Sequence, residues 1–410
     1  MRSSPIVTAG DWARSLDRAA VALLWAGALT FVLAYWFLHG PAFNTFEPAG
    51  IDRLIDGGAT RPYSARLLVP WIASAALAPL PVEQRLALVD RWALEHPALE
   101  HWLTFFKVSR RHALDLLAAA LVDALALAGF MWILRRLLEA FFDTTIWVTR
   151  LGPVLAVLLL PLFFGMGVHF LYDPPALFFA AAALLAMRLG RVHTLTVLLG
   201  LGTLNKETMA LALLAYLLPR FRESMGPRWR FHLAVQSLVV VAARGLAVAL
   251  SHPAAGDPST NNYLRNYFIE NLAGFVRDPF LLSYPRTAAL IFFALLVFGG
   301  LGRKPALLRE AFPIVLPFLA LAAWGSQWGE IRVFYELYPL VFLMGYQSCV
   351  EWIGLPIVNR DGRDGRAPGG AATRSEAPRF APSLASALAG LFLAAAGATL
   401  PFLVMLGFAG

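Results

Sequence analysis

Charge is scarce in this chain: only 15% of its 410 residues are Asp, Glu, Lys or Arg, where a soluble domain carries about 25%. With 59% hydrophobic residues and a mean hydropathy of +0.63, that scarcity excludes ordinary soluble enzymes, secreted disulfide scaffolds and disordered tails. Cysteine is almost missing. Cys349 stands alone, so no disulfide framework, C-x-x-C redox pair or thiolate metal cluster can form. Lysine is nearly absent too: of 34 basic residues only Lys107, Lys206 and Lys304 are lysines. Together with heavy Ala and Leu use, this reads as coding from a high-GC bacterium. No H-E-x-x-H, G-x-S-x-G, P-loop or dinucleotide fingerprint occurs. His169, His193 and His252 lack ligand spacing, so no metal site is expected from the histidines.

What the chain has in abundance is long uncharged apolar runs, repeated from end to end, and in a chain of this size they predict an all-α polytopic membrane protein. An uncleaved first span is expected at 19–38, after a basic tail holding Arg2, Arg14 and Arg18. Further spans are expected near 112–134, 148–170, 174–188, 192–204, 207–219, 232–250, 285–301, 308–325, 332–350 and 383–408, about eleven in all. Those at 174–188, 192–204 and 207–219 fall short of the roughly 20 residues a straight crossing needs. They read as tilted helices, or as half-helices that meet inside the protein.

The segment Leu67–Leu80 decides the parity of everything after it. If it does not cross, residues 39–111 form one long external loop. The segments on the N-terminal side then hold twenty basic residues, and the short connections on the other side hold five. A crossing at Leu67–Leu80 would invert that partition, against the tendency of Lys and Arg to stay in the cytoplasm. The expected placement is therefore the bacterial inner membrane, with a cytoplasmic N-terminus. The net charge of +8 is then loop charge and does not point to nucleic acid. A transmembrane domain over 1–350, a flexible cytoplasmic linker over 351–382 rich in Gly, Pro, Arg and Asp, and a last helix over 383–410 complete the organisation.

Candidate chemistry collects on the external side. The first loop carries Glu47, Asp52, Arg53, Asp56, Arg61 and Arg66. Asp52 and Asp56 are four apart and share a face on a short helix. Paired carboxylates near a membrane surface suit general-base work or divalent-cation binding; local Asp–Arg pairing in a solvated loop is the plainer alternative. After them, R-L-L-V-P-W-I-A-S-A-A-L-A-P-L reads as an interfacial helix. Asp173 opens Y-D-P-P-A-L-F-F, where helix capping or a functional role both explain an acid.

Asn205, Lys206 and Glu207 interrupt an otherwise apolar stretch, and ionisable residues at such places tend to line polar cavities. A mutually paired Lys206–Glu207 hairpin tip and a phosphate-binding Lys206 stay open. Arg244 lies six residues before Leu250, about 9 Å of helix. It is within snorkelling range, or it anchors a lipid-linked phosphate, or it pairs with Asp123. The loop at 251–284 adds His252, Asp257, Arg265 and Glu270. Late in the chain, W-G-S-Q-W-G-E-I-R-V-F-Y-E-L-Y-P places Glu330, Arg332 and Glu336 among interfacial aromatics.

This layout resembles the GT-C superfamily of integral membrane glycosyltransferases, over roughly residues 15–350. The shared features are a cytoplasmic N-terminus, a long first external loop with carboxylates and interfacial helices, a D-P-P opening near the fourth span, a lysine at an external hairpin and a charged late external turn. The resemblance implies a polyprenyl-phosphate sugar donor and a carboxylate of the first loop acting as base or metal ligand. Carried onto this chain, it puts Asp52 first for the acid role, with Glu47 and Asp56 behind it. Lys206 and Arg244 become the phosphate contacts, and Asp173 and Glu330 shape the acceptor or metal side; Glu207 and Arg332 beside them are further substrate-binding candidates. The chain departs from better-known members in lacking an adjacent Asp-Asp or Asp-Glu pair in the loop and a large C-terminal periplasmic domain. Two other readings stand beside it: a transporter or flippase of a lipid-linked or anionic small substrate, built on the broken helices near 192–219, and a non-catalytic membrane scaffold. No inverted repeat supports the first.

Overall fold

The computed structural model describes residues 9–38, 49–56, 58–59, 63–164, 170–218, 227–251, 284–325 and 331–360. The fold is built around the helix that the D-P-P motif opens. This inner helix, Asp173–Arg188, buries thirteen of its sixteen residues. Its prolines sit in the first turn, where the missing N–H groups have no intrahelical partner to lose. Its Ala-rich body, apolar on every side, is the composition of a central helix.

In chain order the helices are α1 (Ala9–Leu38), α2 (Ile51–Asp56), α3 (Leu68–Leu77), α4 (Val82–Glu95), α5 (Ala98–Phe106), α6 (Ala113–Phe141), α7 (Ile146–Phe164), α8 (Asp173–Arg188), α9 (Val192–Asn205), α10 (Ala212–Leu217), α11 (Pro227–Leu250), α12 (Tyr284–Phe298), α13 (Ala306–Ala311), α14 (Val315–Gly325) and α15 (Tyr338–Trp352). Short 3-10 turns at Tyr63–Ala65, Glu207–Leu211 and Ile331–Leu337 lead into α3, α10 and α15.

The main core joins α6, α8 and α15. Leu127, Phe130, Leu134, Leu137 and Phe141 of α6 meet Leu177, Ala181 and Leu184 of α8 and Leu343 and Met344 of α15. α9 and α11 run parallel against each other. His193 meets His232 at one end with ring centroids 5.8 Å apart, and a Cβ on Gly200 would come within 2.9 Å of Val239 further along. Only 22% of the apolar window of α1 and 17% of that of α11 is buried. Their outward faces show Leu23, Leu24, Leu238 and Val241, as lipid-facing helices do.

Helices stand in each of the ten candidate spans that fall in described residues, but only three are long and apolar enough to cross a membrane: Ala19–Phe37, Arg110–Phe141 and Pro227–Leu250. Among the described residues, the bent pair Leu68–Leu77 and Val82–Glu95 makes a fourth if it counts as one span. The stretch 308–325 divides at Phe312–Ile314, around Pro313, and both 207–219 and 332–350 begin as 3-10 turns. The span expected at 383–408 lies outside the described residues. The interfacial segment after Arg66 is α3, about 15 Å long at 1.5 Å per residue, which then turns by 89° into α4. Alone, α3 is half the length a crossing requires. Of the residues expected in the linker from 351, Glu351 and Trp352 complete α15. Ile357–Asn359 then pairs antiparallel with Phe142–Thr144, which carries the fold to Arg360.

Candidate functional site

The polar side chains of the bundle gather at the end where α8 and α11 begin and finish, respectively. Arg66 leaves the turn before α3 and reaches Glu207, 141 residues later. Its Nη2 donates to Glu207 Oε1 at 2.7 Å and its Nε to Oε2 at 3.2 Å. This two-point geometry suits a guanidinium and a carboxylate. The same Glu207 faces Arg244 Nη1 at 3.8 Å. Burial weakens the hold of the Arg66 guanidinium on its proton, but Glu207 more than offsets this, and the group stays well above its ordinary range. The guanidinium also lies 4.1 Å from the Tyr172 ring centre and 5.4 Å from that of Tyr63. Both rings stack on Phe170.

Lys206 Nζ is 6.0 Å from the centre of the same Tyr172 ring and 5.8 Å from that of Tyr335. Lys206 stands 3.2 Å from Glu336 Oε1 and 3.8 Å from Asp173 Oδ1. The Thr208 hydroxyl donates to Glu336 as well. Lys206, Asp173 and Glu336 have side chains only 4%, 1% and 2% exposed, and charged groups so enclosed are found paired. Hydrogen bonds to backbone carbonyls hold the elements in place: Leu67 N–H donates to Leu204 O at 3.1 Å, and the Asn205 side-chain Nδ2 to Tyr172 O at 2.8 Å.

A second cluster sits on α2. Asp52 and Asp56 do share a face of that helix, and the face meets the start of α6. Asp52 Oδ2 accepts from Ser109 N–H at 3.2 Å, while its Oδ1 is buried with no hydrogen-bond partner among the described residues. Asp56 Oδ2 lies 3.1 Å from His112 Nε2, and His112 Nδ1 lies 3.0 Å from Asp115 Oδ2. Arg85 of α4 stands 3.6 Å from Asp115. His112 thus links a half-exposed carboxylate to a buried one.

Between the two clusters lies a cavity of about 280 Å³, lined by Arg53, Leu54, Ile55, Ser64, Trp71 and Leu250 among others. Three walls come from α2, the turn that carries Arg66, and α3; Leu250 is the last residue of Arg244's helix. Ser64 is buried, and its Oγ has no hydrogen-bond partner among the described residues. The lining is amphiphilic: one guanidinium, two hydroxyls with Ser74, an indole and aliphatic side chains.

Of the residues singled out in the sequence, Asp173, Lys206, Glu207 and Arg244 gather at one end of the bundle in two ion-pair groups that share the Tyr172 ring. Asp52 and Asp56 form a separate cluster across the cavity. Glu47 and Glu330 lie outside the described residues, as does the side chain of Arg332. Lys206 and Glu207 do not pair with each other; each takes its partners from other elements. Arg244 faces Glu207 where Asp123 was an alternative. Asp123 is buried near Asp173, and its Oδ1 has no hydrogen-bond partner among the described residues.

Asp173 turns its Oδ2 back to accept from Phe170 N–H at 3.1 Å, so it braces the entry to α8 and faces Lys206 at once. His112, Asp115, Tyr172 and Tyr335 were not anticipated as site residues. The H-x-x-D spacing at 112–115, at the mouth of a span, was the available signal for the first two. Among the described residues no group of three or more His, Cys, Asp or Glu is placed to hold a metal ion. Comparison with protein-family models, curated proteins and solved structures finds nothing that matches this chain.

Proposed function

We propose that the chain is a bacterial inner-membrane glycosyltransferase of the GT-C type. In this reading it moves a sugar from a polyprenyl-phosphate carrier to an acceptor hydroxyl on the external face, with a cytoplasmic N-terminus and about eleven spans. The observation that carries it is the pairing of an amphiphilic cavity with an acidic helix in its wall: α2 lines the cavity with Arg53, Leu54 and Ile55 and bears Asp52 and Asp56 on its neighbouring face.

Asp52 keeps its place as first choice for the base. One of its oxygens has an unfilled acceptor position, whereas Asp56 is committed to His112. The Asp52 carboxylate takes the hydroxyl proton as the acceptor oxygen bonds to the anomeric carbon. The carbon–oxygen bond to the phosphate breaks, and its electron pair leaves with the lipid phosphate. A cation near the departing phosphate stabilises that charge. Arg244, 3.8 Å from Glu207 but with 29% of its side chain exposed, is within reach of a phosphate and suits this part better than the enclosed Lys206, whose side chain is 4% exposed. A divalent cation on the loop carboxylates would serve the same purpose.

The test is consumption of a polyprenyl-phosphate sugar by the protein in lipid nanodiscs. Asp52→Asn is expected to lower turnover by about 10²–10⁴ without loss of folded protein. Turnover that survives moves the base to Glu47 or Asp56. A second reading, a transporter of an anionic small substrate, draws on the buried Arg66–Glu207–Arg244 and Asp173–Lys206–Glu336 groups. Absence of turnover with every common donor, together with substrate uptake that fails in Glu207→Gln, would favour it.

A further inference from the structure

The bundle has a second charged end, and no role so far described uses it. α11 runs from Arg228 near its start to Leu250 at the cavity, 22 residues or about 33 Å of helix, close to the roughly 30 Å of a bilayer's hydrocarbon core. Its first two turns read P-R-W-R-F-H. Because α9 packs parallel to it, the α8–α9 turn with Arg191 and His193 comes alongside those turns, and the His193 and His232 rings meet edge to face at 5.8 Å. Trp229 stacks on Tyr216 of α10 with ring centroids 6.3 Å apart and planes inclined by 18°. The strip is thus tied to three helices.

The charge here is gathered on one strip, whereas at the cavity end the exposed Lys107 and Arg111, likewise without an ion pair among the described residues, stand on the connection between α5 and α6. Around the cavity, Arg66, Arg85, Lys206 and Arg244 each face a carboxylate. At the opposite end, Arg135 and Arg136 share Glu139, and Arg303 meets Glu351. Arg191, Arg228 and Arg230 are exposed, and neither they nor His193 and His232 make an ion pair among the described residues. Beside them Phe231 is 66% exposed, an apolar group among the cations. Fixed cations around an aromatic anchor, one membrane thickness from the cavity, are complementary to a phosphodiester held at the bilayer surface.

We propose that Arg191, His193, Arg228, Arg230 and His232 form a binding site for the headgroup of an anionic glycerophospholipid on the membrane face opposite the cavity. The site does not depend on the glycosyltransferase reading. It retains lipid whatever reaction the cavity supports.

The full-length protein in phosphatidylcholine nanodiscs containing a minor fraction of spin-labelled phosphatidylglycerol tests it, with labelled phosphatidylcholine as the reference lipid. Phosphatidylglycerol is expected to be enriched in the immobilised fraction. Each of Arg228→Gln and Arg230→Gln is expected to lower that preference roughly fivefold. Arg191→Gln, on a separate element, is expected to act alike and serves if the α11 variants fail to fold. Lys107→Gln at the cavity end is expected to leave the preference unchanged, and added inorganic phosphate to leave the lipid in place. Equal retention of the two lipids, or the same loss from Lys107→Gln as from Arg228→Gln, would overturn the site in favour of net charge alone. Displacement by inorganic phosphate would overturn it in favour of a soluble anion.

Discussion

Glu207 holds two arginines at once, Arg66 through two hydrogen bonds and Arg244 across 3.8 Å. Neutralising it leaves the Arg66 guanidinium, whose side chain is 9% exposed, against an amide in a poorly hydrated place. Removing one partner of a fully buried pair costs roughly 3–5 kcal/mol. A quarter of the Glu207 side chain is exposed, so solvent screens part of that, and Glu207→Gln is expected to cost about 2 kcal/mol. Thermal unfolding in detergent micelles measures it. Arg66→Gln combined with Glu207→Gln is expected to cost clearly less than the sum of the two single changes, because the second change then strands no charge. Strictly additive costs would mean that the two side chains do not interact. At this scale the sequence singled out residues that the fold brings together, but not which of them pair. Lys206 and Glu207 adjoin in the chain and were natural partners for each other, yet their backbone directions send them to Glu336 and Arg66, 130 and 141 residues away. Spacing along one helix carries no information about such contacts.

Helix packing here depends on a few places where two backbones come close, and Gly200 is one of them. A leucine at this position would push into Val239 of α11, since even a Cβ comes within 2.9 Å of its Cγ1. Overpacking of this kind costs about 1–3 kcal/mol, against a helix-propensity gain of about 1 kcal/mol on replacing glycine. Gly200→Leu is therefore expected to lower the thermal midpoint, and Val239→Ala in the same chain to recover most of the loss. A Gly200→Leu protein as stable as the parent would show that α9 and α11 are not in contact there. Apolar run length was enough to find helices near every described span, because hydrophobic length is a local property. It could not find where they break. The D-P-P start of α8 was legible because proline fits a first turn. The divisions around Pro313 and at Ile331–Leu337 depend on how neighbouring helices receive the freed backbone groups. The 89° turn after α3 follows A-P-L-P, whose prolines signal an end to the helix without giving its angle. The approach of α2 to His112, 56 residues later, was not legible at all.

For the molecule as a whole, the distribution of charge predicts which end faces which compartment. At the cavity end Arg66, Arg85, Arg91 and Lys206 are neutralised by carboxylates within 4 Å. The far end carries Arg191, Arg228 and Arg230, exposed and without an ion pair among the described residues. Unpaired Lys and Arg in short connections stay cytoplasmic because moving them across the membrane during insertion is costly. Cys349, the one native thiol, can be replaced by serine so that single cysteines report position. Arg91→Cys, at a site whose side chain is 76% exposed, is expected to react with a membrane-impermeant maleimide in cells whose outer membrane has been opened. Val358→Cys, on the exposed strand at the other end, is expected to react only after the inner membrane is lysed. Labelling of both from one side would mean that α11 does not separate the two ends across the bilayer, and with it would fall the placement of the cavity and the lipid site on opposite faces. Labelling in the reverse order would put the cavity in the cytoplasm, within reach of soluble nucleotide sugars, and a donor carried on polyprenyl phosphate would lose its physical motive.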